Sequence, residues 1–522
     1  MTATTEAYRS SLPAGHDGFG QILRAEWTKF WTVRGWIIGL IVATLVTVLI
    51  SVLSSAAQHS GSCVGPNPSH LICTTGHPYV PVGPGGEAVA DSFYFVDHPL
   101  TGNGSITARV TSLTGVASTS GNTSQPGSNP LATSRAALAP WAKAGLIIKQ
   151  SLHQGSAYAA VMATGAHGVR MQYNYTHDSP GRPGAASATA PRWLRLTRSG
   201  STLTGYDSVN GTNWTPIGST RLAGLHATVQ AGLFVTSPVS FQQSAGGATS
   251  MATAVFDHVS GGSGWRGLTI GASSMYPILA PGSYHRSGGA FTVSGSGDIA
   301  PDVGGGIFGG DTLEKSLVGG LIGLIALIVV ATLFITAEYR RGLIRVTLAA
   351  SPRRGRVLAA KAVVIGAVTF VAGLVATAIS LPVSRHILSH NGNYLLPVSP
   401  RTELSVIVGT AALLAVAAVA VLALGTVLRR SAGAVTCGIG LLVLPYILAN
   451  AVPASGQWLM RLTPAAAFAV QQTIPAYPQV SNAYNVANGF YPLSAWAGFA
   501  VLCAWAALAL GLAFYLLRRR DA

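Results

Sequence analysis

Six stretches of this 522-residue chain contain no Asp, Glu, Lys, Arg or His and are each long enough to cross a bilayer. They run approximately over Trp36–Leu53, Leu317–Ala337, Ala362–Ser384, Leu404–Leu428, Ala432–Val452 and Leu493–Leu517. A spanning helix needs about 20 predominantly apolar residues. A helix in a soluble core would instead alternate apolar and polar faces at the 3.6-residue period, and these stretches are apolar all round. The pattern predicts a polytopic α-helical membrane protein with six transmembrane helices.

The basic residues set its orientation. Four precede the first span, seven lie between Glu338 and Lys361, and Arg429, Arg430 and Arg518 to Arg520 follow the fourth and sixth spans. The short loops on the other side carry only Arg385, Arg401 and Arg461. By the positive-inside rule, both termini and the 338–361 loop are cytoplasmic, in a cell membrane crossed many times. The length of the leading segment favours an uncleaved anchor over a signal peptide. The net charge of +16 is largely this topology signal; no basic patch interleaved with aromatics points to nucleic acid.

Residues 1–18 are polar and expected to be disordered. Phe19 to Arg34 places Phe19, Ile22, Leu23, Trp27, Phe30 and Trp31 near helical spacing, with Arg24, Lys29 and Arg34 on the polar side. Such a segment reads as an amphipathic helix in the inner interface, up to about residue 35, in contact with membrane lipid.

Between the first and second spans the composition changes. Residues 54–314 are rich in Gly, Ser, Thr and Asn, and short apolar-polar alternations recur between turn signals, as in SITARVTSL and RWLRLTRSGSTLTGYDSVNG. This predicts an all-β sandwich over about 87–260 on the extracytoplasmic side. Residues 261–313 are Gly-rich, and no structure is predicted for them. Cys63 and Cys73 lie just beyond the first span in CVGPNPSHLIC. At that spacing outside the cytoplasm a disulfide is expected; metal binding with His59, His70 and His77 is the alternative, although no zinc-type spacing repeats.

Several absences discriminate among functions. No G-x-x-x-x-G-K-[ST] phosphate loop is present, so this chain has no such ATP site of its own. Within the limits given above, no span carries an ionisable group of the kind a proton- or ion-coupled carrier needs. Energy for transport would have to arrive from a partner.

Two segments carry a resemblance. LRAEWTKFWTVRGW before the first span and ITAEYRRGLIRVTLAASPRRGRVLAAK between the second and third resemble the type-2 ABC transporter permease family in its actinobacterial form. The resemblance implies a permease that docks a separate ATP-binding subunit, which would hold ATP and Mg, and that pairs with a second permease half, identical or not. It implies a coupling loop containing Glu338, Tyr339, Arg340, Arg341, Gly342, Arg345, Pro352, Arg353, Arg354 and Arg356. Glu26, Trp27, Lys29 and Arg34 would belong to the interfacial helix.

The long insert departs from the short loop usual after the first span in that family. FYFVDHPLTGNGSITARVTSLTG and RWLRLTRSGSTLTGYDSVNGTNWTPIGS resemble the concanavalin A-like lectin/glucanase sandwich. Hydrolysis of glycosides needs two flanking carboxylates. Glu87 and Glu314, the insert's only glutamates, sit at its margins, so no catalytic residues are expected, and no metal ligands. Trp141, Tyr173, Tyr175, Trp193, Tyr206 and Trp214 are the candidate stacking faces for an extracellular glycan. Six spans exceed what anchoring requires. That favours an exporter subunit over a membrane-anchored sensor or carbohydrate-binding protein without transport.

Overall fold

The computed structural model describes residues 18–59, 62–64, 72–74, 80–119, 131–242, 246–262, 264–271, 280–304, 310–340, 354–480 and 486–519. Helix α1 (Phe19–Thr32) leads into α2 (Arg34–Ala57); a β-rich region follows; then come α3 (Gly319–Arg340), α4 (Arg354–His390), α5 (Pro400–Leu428), α6 (Ser431–Leu442), α7 (Leu444–Ala451), α8 (Pro453–Leu462) and α9 (Ala495–Arg519). Among the described residues, six helical spans are long and apolar enough to cross a membrane, α6 and α7 together making one of them. Pro445 at the start of α7 accounts for that break, since proline cannot donate to the preceding turn. The chain is a membrane-embedded protein.

The helices extend beyond the charge-free limits read from the sequence. The second span runs Leu313–Tyr339 and the third Arg354–His390, so Glu314, Glu338 and Lys361 all lie on them. The charge-free reading therefore holds for the middle of these two spans and not for their ends.

Small residues allow close packing of α2 on α3. A Cβ at Gly323 would lie 1.9 Å from Thr47 Oγ1, and one at Gly319 2.1 Å from the Thr47 carbonyl. Such pairs replace the hydrophobic drive that lipid removes. The orphan carbonyls at the end of α2 are capped from α4 and the turn after it. Asn391 Nδ2 donates to Ser55, Ala56 and Gln58, and Asn393 Nδ2 to Gln58 at 2.9 Å. At the start of α5, Ser399 accepts from the Thr402 N–H with Pro400 in the first turn, a standard N-cap.

The β-rich region is a sandwich of two antiparallel sheets. One has seven strands, in the order His177–Pro180, Val169–Tyr173, Tyr158–Thr164, Lys143–Lys149, Thr228–Thr236, Phe93–Thr101 and Arg266–Ile270. The other runs Thr215–Arg221, Thr202–Ser208, Arg192–Ser199, Gly104–Ser118, Ser250–Ser260, Ala290–Gly295 and Ser283–Ser287, with Ser134–Ala136 added on Gly104–Ser118. Val96, Leu146, Val161, Leu194, Leu203 and Phe256 belong to the core between the sheets. Three strands come from the Gly-rich stretch beyond Ser260, where sparse apolar residues hide the alternation.

Lys143–Lys149 and Tyr158–Thr164 are buried at every residue. The reason is a third layer. Val89–Asp91 pairs with Ile299–Pro301, and these segments pack on the outer face of the seven-stranded sheet with Phe95, Ile147, Tyr158 and Tyr175. Two lysines are sealed beneath it. Lys149 meets Asp91 at 2.7 Å, and Lys143 meets Asp298 at 2.7 Å and the Ile299 carbonyl.

The sandwich rests on one end of the helical bundle. Val80, Ala88, Ala300 and Val303 pack with Leu396, Ile474, Val480 and Phe490. Gln479 Nε2 donates to the Tyr175 carbonyl at 3.0 Å. Between α8 and α9, Pro464–Gln471 forms a fully buried 3-10 segment. Such irregular backbone is tolerated at membrane depth only when protein shields it.

Candidate functional site

At the bundle end away from the sandwich, four charged side chains from three helices converge. On α1, Leu23 and Phe30 turn toward the core, while Trp27 and Trp31 stay exposed. Glu26 shares the inward face and is only 2% exposed, not part of a solvated polar side. Its partner is Lys361 on α4, itself 1% exposed, whose ammonium sits 2.6 Å from Glu26 Oε2 and 2.7 Å from Glu338 Oε1 on α3. Lys29 closes the square, 2.8 Å from Glu26 and 3.3 Å from Glu338.

Two carboxylates and two ammoniums make the group neutral. That balance lets it be buried, because an isolated charge in so dry a place would cost several kcal/mol. The Phe334 ring lies 4.7 Å from Lys361 Nζ and adds a cation–π contact. Phe30, Trp36 and Phe334 pack around it. Burial pulls the Lys29 ammonium down, yet the Glu26 and Glu338 carboxylates outweigh it and leave its pKa above the ordinary lysine value. Beside the cluster, the Arg429 guanidinium lies 5.4 Å from the Tyr339 ring.

The cluster clamps both margins of the connection between α3 and α4. Glu338 stands two residues before the end of α3, and Lys361 two turns into α4. Arg341, Gly342, Arg345, Pro352 and Arg353 fall outside the described residues, as does the side chain of Arg340. Arg354 Nη1 donates to the Leu517 carbonyl at 2.8 Å, and it lines an open cleft with Arg356, Arg518, Phe19 and Phe514. Arg34 begins α2 and is exposed. Sequence reasoning missed Lys361 as a site residue. Two lone acids beside apolar spans, Glu26 and Glu338, were the signal that a buried base had to exist.

The aromatic residues singled out in the sandwich separate into two groups. Tyr175 is core: its hydroxyl donates to Asp91 at 2.7 Å. Trp141 is also buried, stacked on His167 at 3.9 Å. Tyr173 stacks on His177 at 4.3 Å. Trp193, Tyr206 and Trp214 gather on the outward face of the second sheet. Register places Trp193 opposite Arg109, Arg109 opposite Asp257, and Tyr206 opposite Arg195. Arg195 stacks on Trp214 at 3.9 Å, and Arg109 lies 5.5 Å from the Trp193 ring while donating to Asp257 through Nε and Nη2. Among the described residues, no group of His, Cys, Asp or Glu has the arrangement of a metal site.

The family described as "ABC-2 family transporter protein" matches residues 155–522, well over half of the chain. The chain belongs to that family. The matched region takes in α3 to α9 and much of the sandwich; α1 and α2 precede it. It is a transport permease of the membrane-embedded kind. No curated protein matches. Among solved structures, scytalido-glutamic peptidase with a transition state analog inhibitor is similar at 11% identity and TM-score 0.23, covering 39% of this chain and 98% of that one. A functionally unknown protein from Saccharomyces cerevisiae is similar at 14% identity and TM-score 0.21, covering 38% and 94%. Likenesses at these TM-scores carry no argument about this chain.

Proposed function

We propose that this chain is the transmembrane half of an ATP-driven exporter, driven by a separate ATP-binding subunit that holds ATP and Mg. The Glu26–Lys29–Glu338–Lys361 cluster carries the reading. It ties α1 to both helices flanking residues 341–353, so a force on that connection moves α1, α3 and α4 as one body. Its end of the bundle would face the cytoplasm and the sandwich would lie outside, with both termini inside. Few residues of α2 and α9 are buried, which leaves surface for bilayer lipid and a second permease half.

Purification of the chain with the ATP-binding subunit tests the docking site. Reversing charge at Arg340, Arg341 and Arg345 is expected to abolish capture, since close charge pairs at interfaces are strongly coupled. Undiminished capture contradicts the assignment.

The sandwich, read as concanavalin A-like, would bind a surface glycan on its outward face. Trp193, Tyr206 and Trp214 supply the rings, and Arg109, Arg195 and Asp257 the polar partners. Alanine at Trp193 and Trp214 is expected to remove binding on a glycan array. Register also sets Cys63 opposite Cys73, and directly opposed Cα atoms fall within disulfide range. Mass spectrometry of the non-reduced protein is expected to find the two joined.

A further inference from the structure

We propose that the cleft at the sandwich-facing end of α3 binds the ammonium-type head of an organic cation, with Glu314 as its counter-charge. This goes beyond the exporter reading, and binding to this chain alone measures it. The cleft has a volume of about 90 Å³ and is lined by Glu314, Lys315, Tyr446, Phe468, Gln471 and Tyr491, among others. Its walls come from the start of the second span, α7, the buried 3-10 segment and the turn before α9. Three aromatic rings and the Glu314 carboxylate, with the lining Lys315 drawn off by Asp311, suit a cation with an apolar body.

Glu314 is 9% exposed and accepts only neutral donors: the Thr473 backbone N–H, and the Thr473 hydroxyl at 2.9 Å. The nearest base in sequence, Lys315, is bonded to Asp311. Among the described residues no basic group pairs with Glu314. A buried carboxylate without a cation is costly to hold ionised. The surroundings keep the carboxylate in place. Gly489 has φ +80°, and a Cβ there would lie 3.0 Å from Glu314 Cδ. The Thr473 bonds fix the carboxylate beside the cleft without neutralising it.

The test uses the purified full chain and three small probes: benzyltrimethylammonium, neutral benzyl alcohol and anionic benzenesulfonate. The ammonium is expected to bind saturably and the other two far more weakly. E314Q should weaken ammonium binding roughly tenfold or more, the scale of one lost charge-assisted contact. Y446L should weaken it severalfold. T473V, which loosens the latch but keeps the carboxylate, should retain binding. Thermal unfolding of each variant separates loss of site from loss of fold. Equal ammonium affinity in wild type and E314Q overturns the proposal. So does sulfonate binding as well as the ammonium, or loss in a folded T473V as complete as in E314Q.

Discussion

The second span carries a buried carboxylate at each end, and the two are treated in opposite ways. Glu338 is enclosed by Lys361 and Lys29 and shares them with Glu26, so every charge in that group has an opposite within 3.3 Å. Glu314, at the sandwich end, accepts neutral donors such as those of Thr473, pairs with no base among the described residues, and adjoins a cleft. One site is closed and self-neutral; the other lacks a counter-charge. A fully paired buried ionic group ties together the helices that carry it; on the proposal above, the unpaired carboxylate takes its cation from a ligand.

Removing Lys361 should produce the largest effect. K361M leaves two buried carboxylates to share the part-exposed Lys29 and is expected to cost about 3–5 kcal/mol of stability, read as a large fall in melting temperature or loss of folded protein. The quadruple variant E26Q/K29Q/E338Q/K361M, in which all four charges are gone, should recover most of that loss, because no uncompensated charge remains. If the quadruple variant unfolds as readily as K361M, the charges are not what holds these helices.

A methyl group beside Glu314 should have a smaller effect. G489A forces an alanine into a left-handed conformation against Glu314 Cδ and is expected to cost about 1–2 kcal/mol. E314Q itself should change stability by less than about 1 kcal/mol, since the weakened bond to Thr473 is offset by relief of desolvation. A loss in E314Q as large as in K361M would erase the contrast between the two ends.

Acidity gives the smallest test and distinguishes the cluster from the sandwich. The Arg109 hydrogen bond beside Asp257 holds its carboxyl below the ordinary range. That pair therefore contributes above the ordinary aspartate pKa and is lost as pH falls through the lower folded value. R109Q should remove it, at under about 1 kcal/mol for so open a pair, visible only in acid unfolding of the sandwich. The raised Lys29 works in the other direction. Its contribution is complete below the ordinary lysine pKa and is lost only as pH climbs through the higher folded value, so Lys29 should weaken the cluster only in strong alkali.

Much of this architecture was legible in the sequence because bilayer length and charge exclusion act locally. Glu26 and Glu338 were singled out too, but as surface contacts. Their shared partner, Lys361, lies 335 positions from Glu26, and no periodicity joins residues so distant. Glu314 stood out only as a glutamate at the margin of the insert. Its meaning depends on Thr473 and Gly489, which a separate loop brings back into the bundle. The strands beyond Ser260 were hidden by glycine, and the layer covering the seven-stranded sheet was hidden by its own shortness.

If the four-charge cluster transmits the partner's work into the helices, ATP hydrolysis coupled to the permease depends on it. With the permease and its ATP-binding subunit reconstituted together in proteoliposomes, ATP hydrolysis is compared for wild type and for the folded E26Q/K29Q/E338Q/K361M variant. The expected result is a variant that still captures the ATP-binding subunit but loses most permease-stimulated hydrolysis, at least tenfold for each 1.4 kcal/mol of coupling removed. Hydrolysis at the wild-type rate, with the subunit bound, would contradict it.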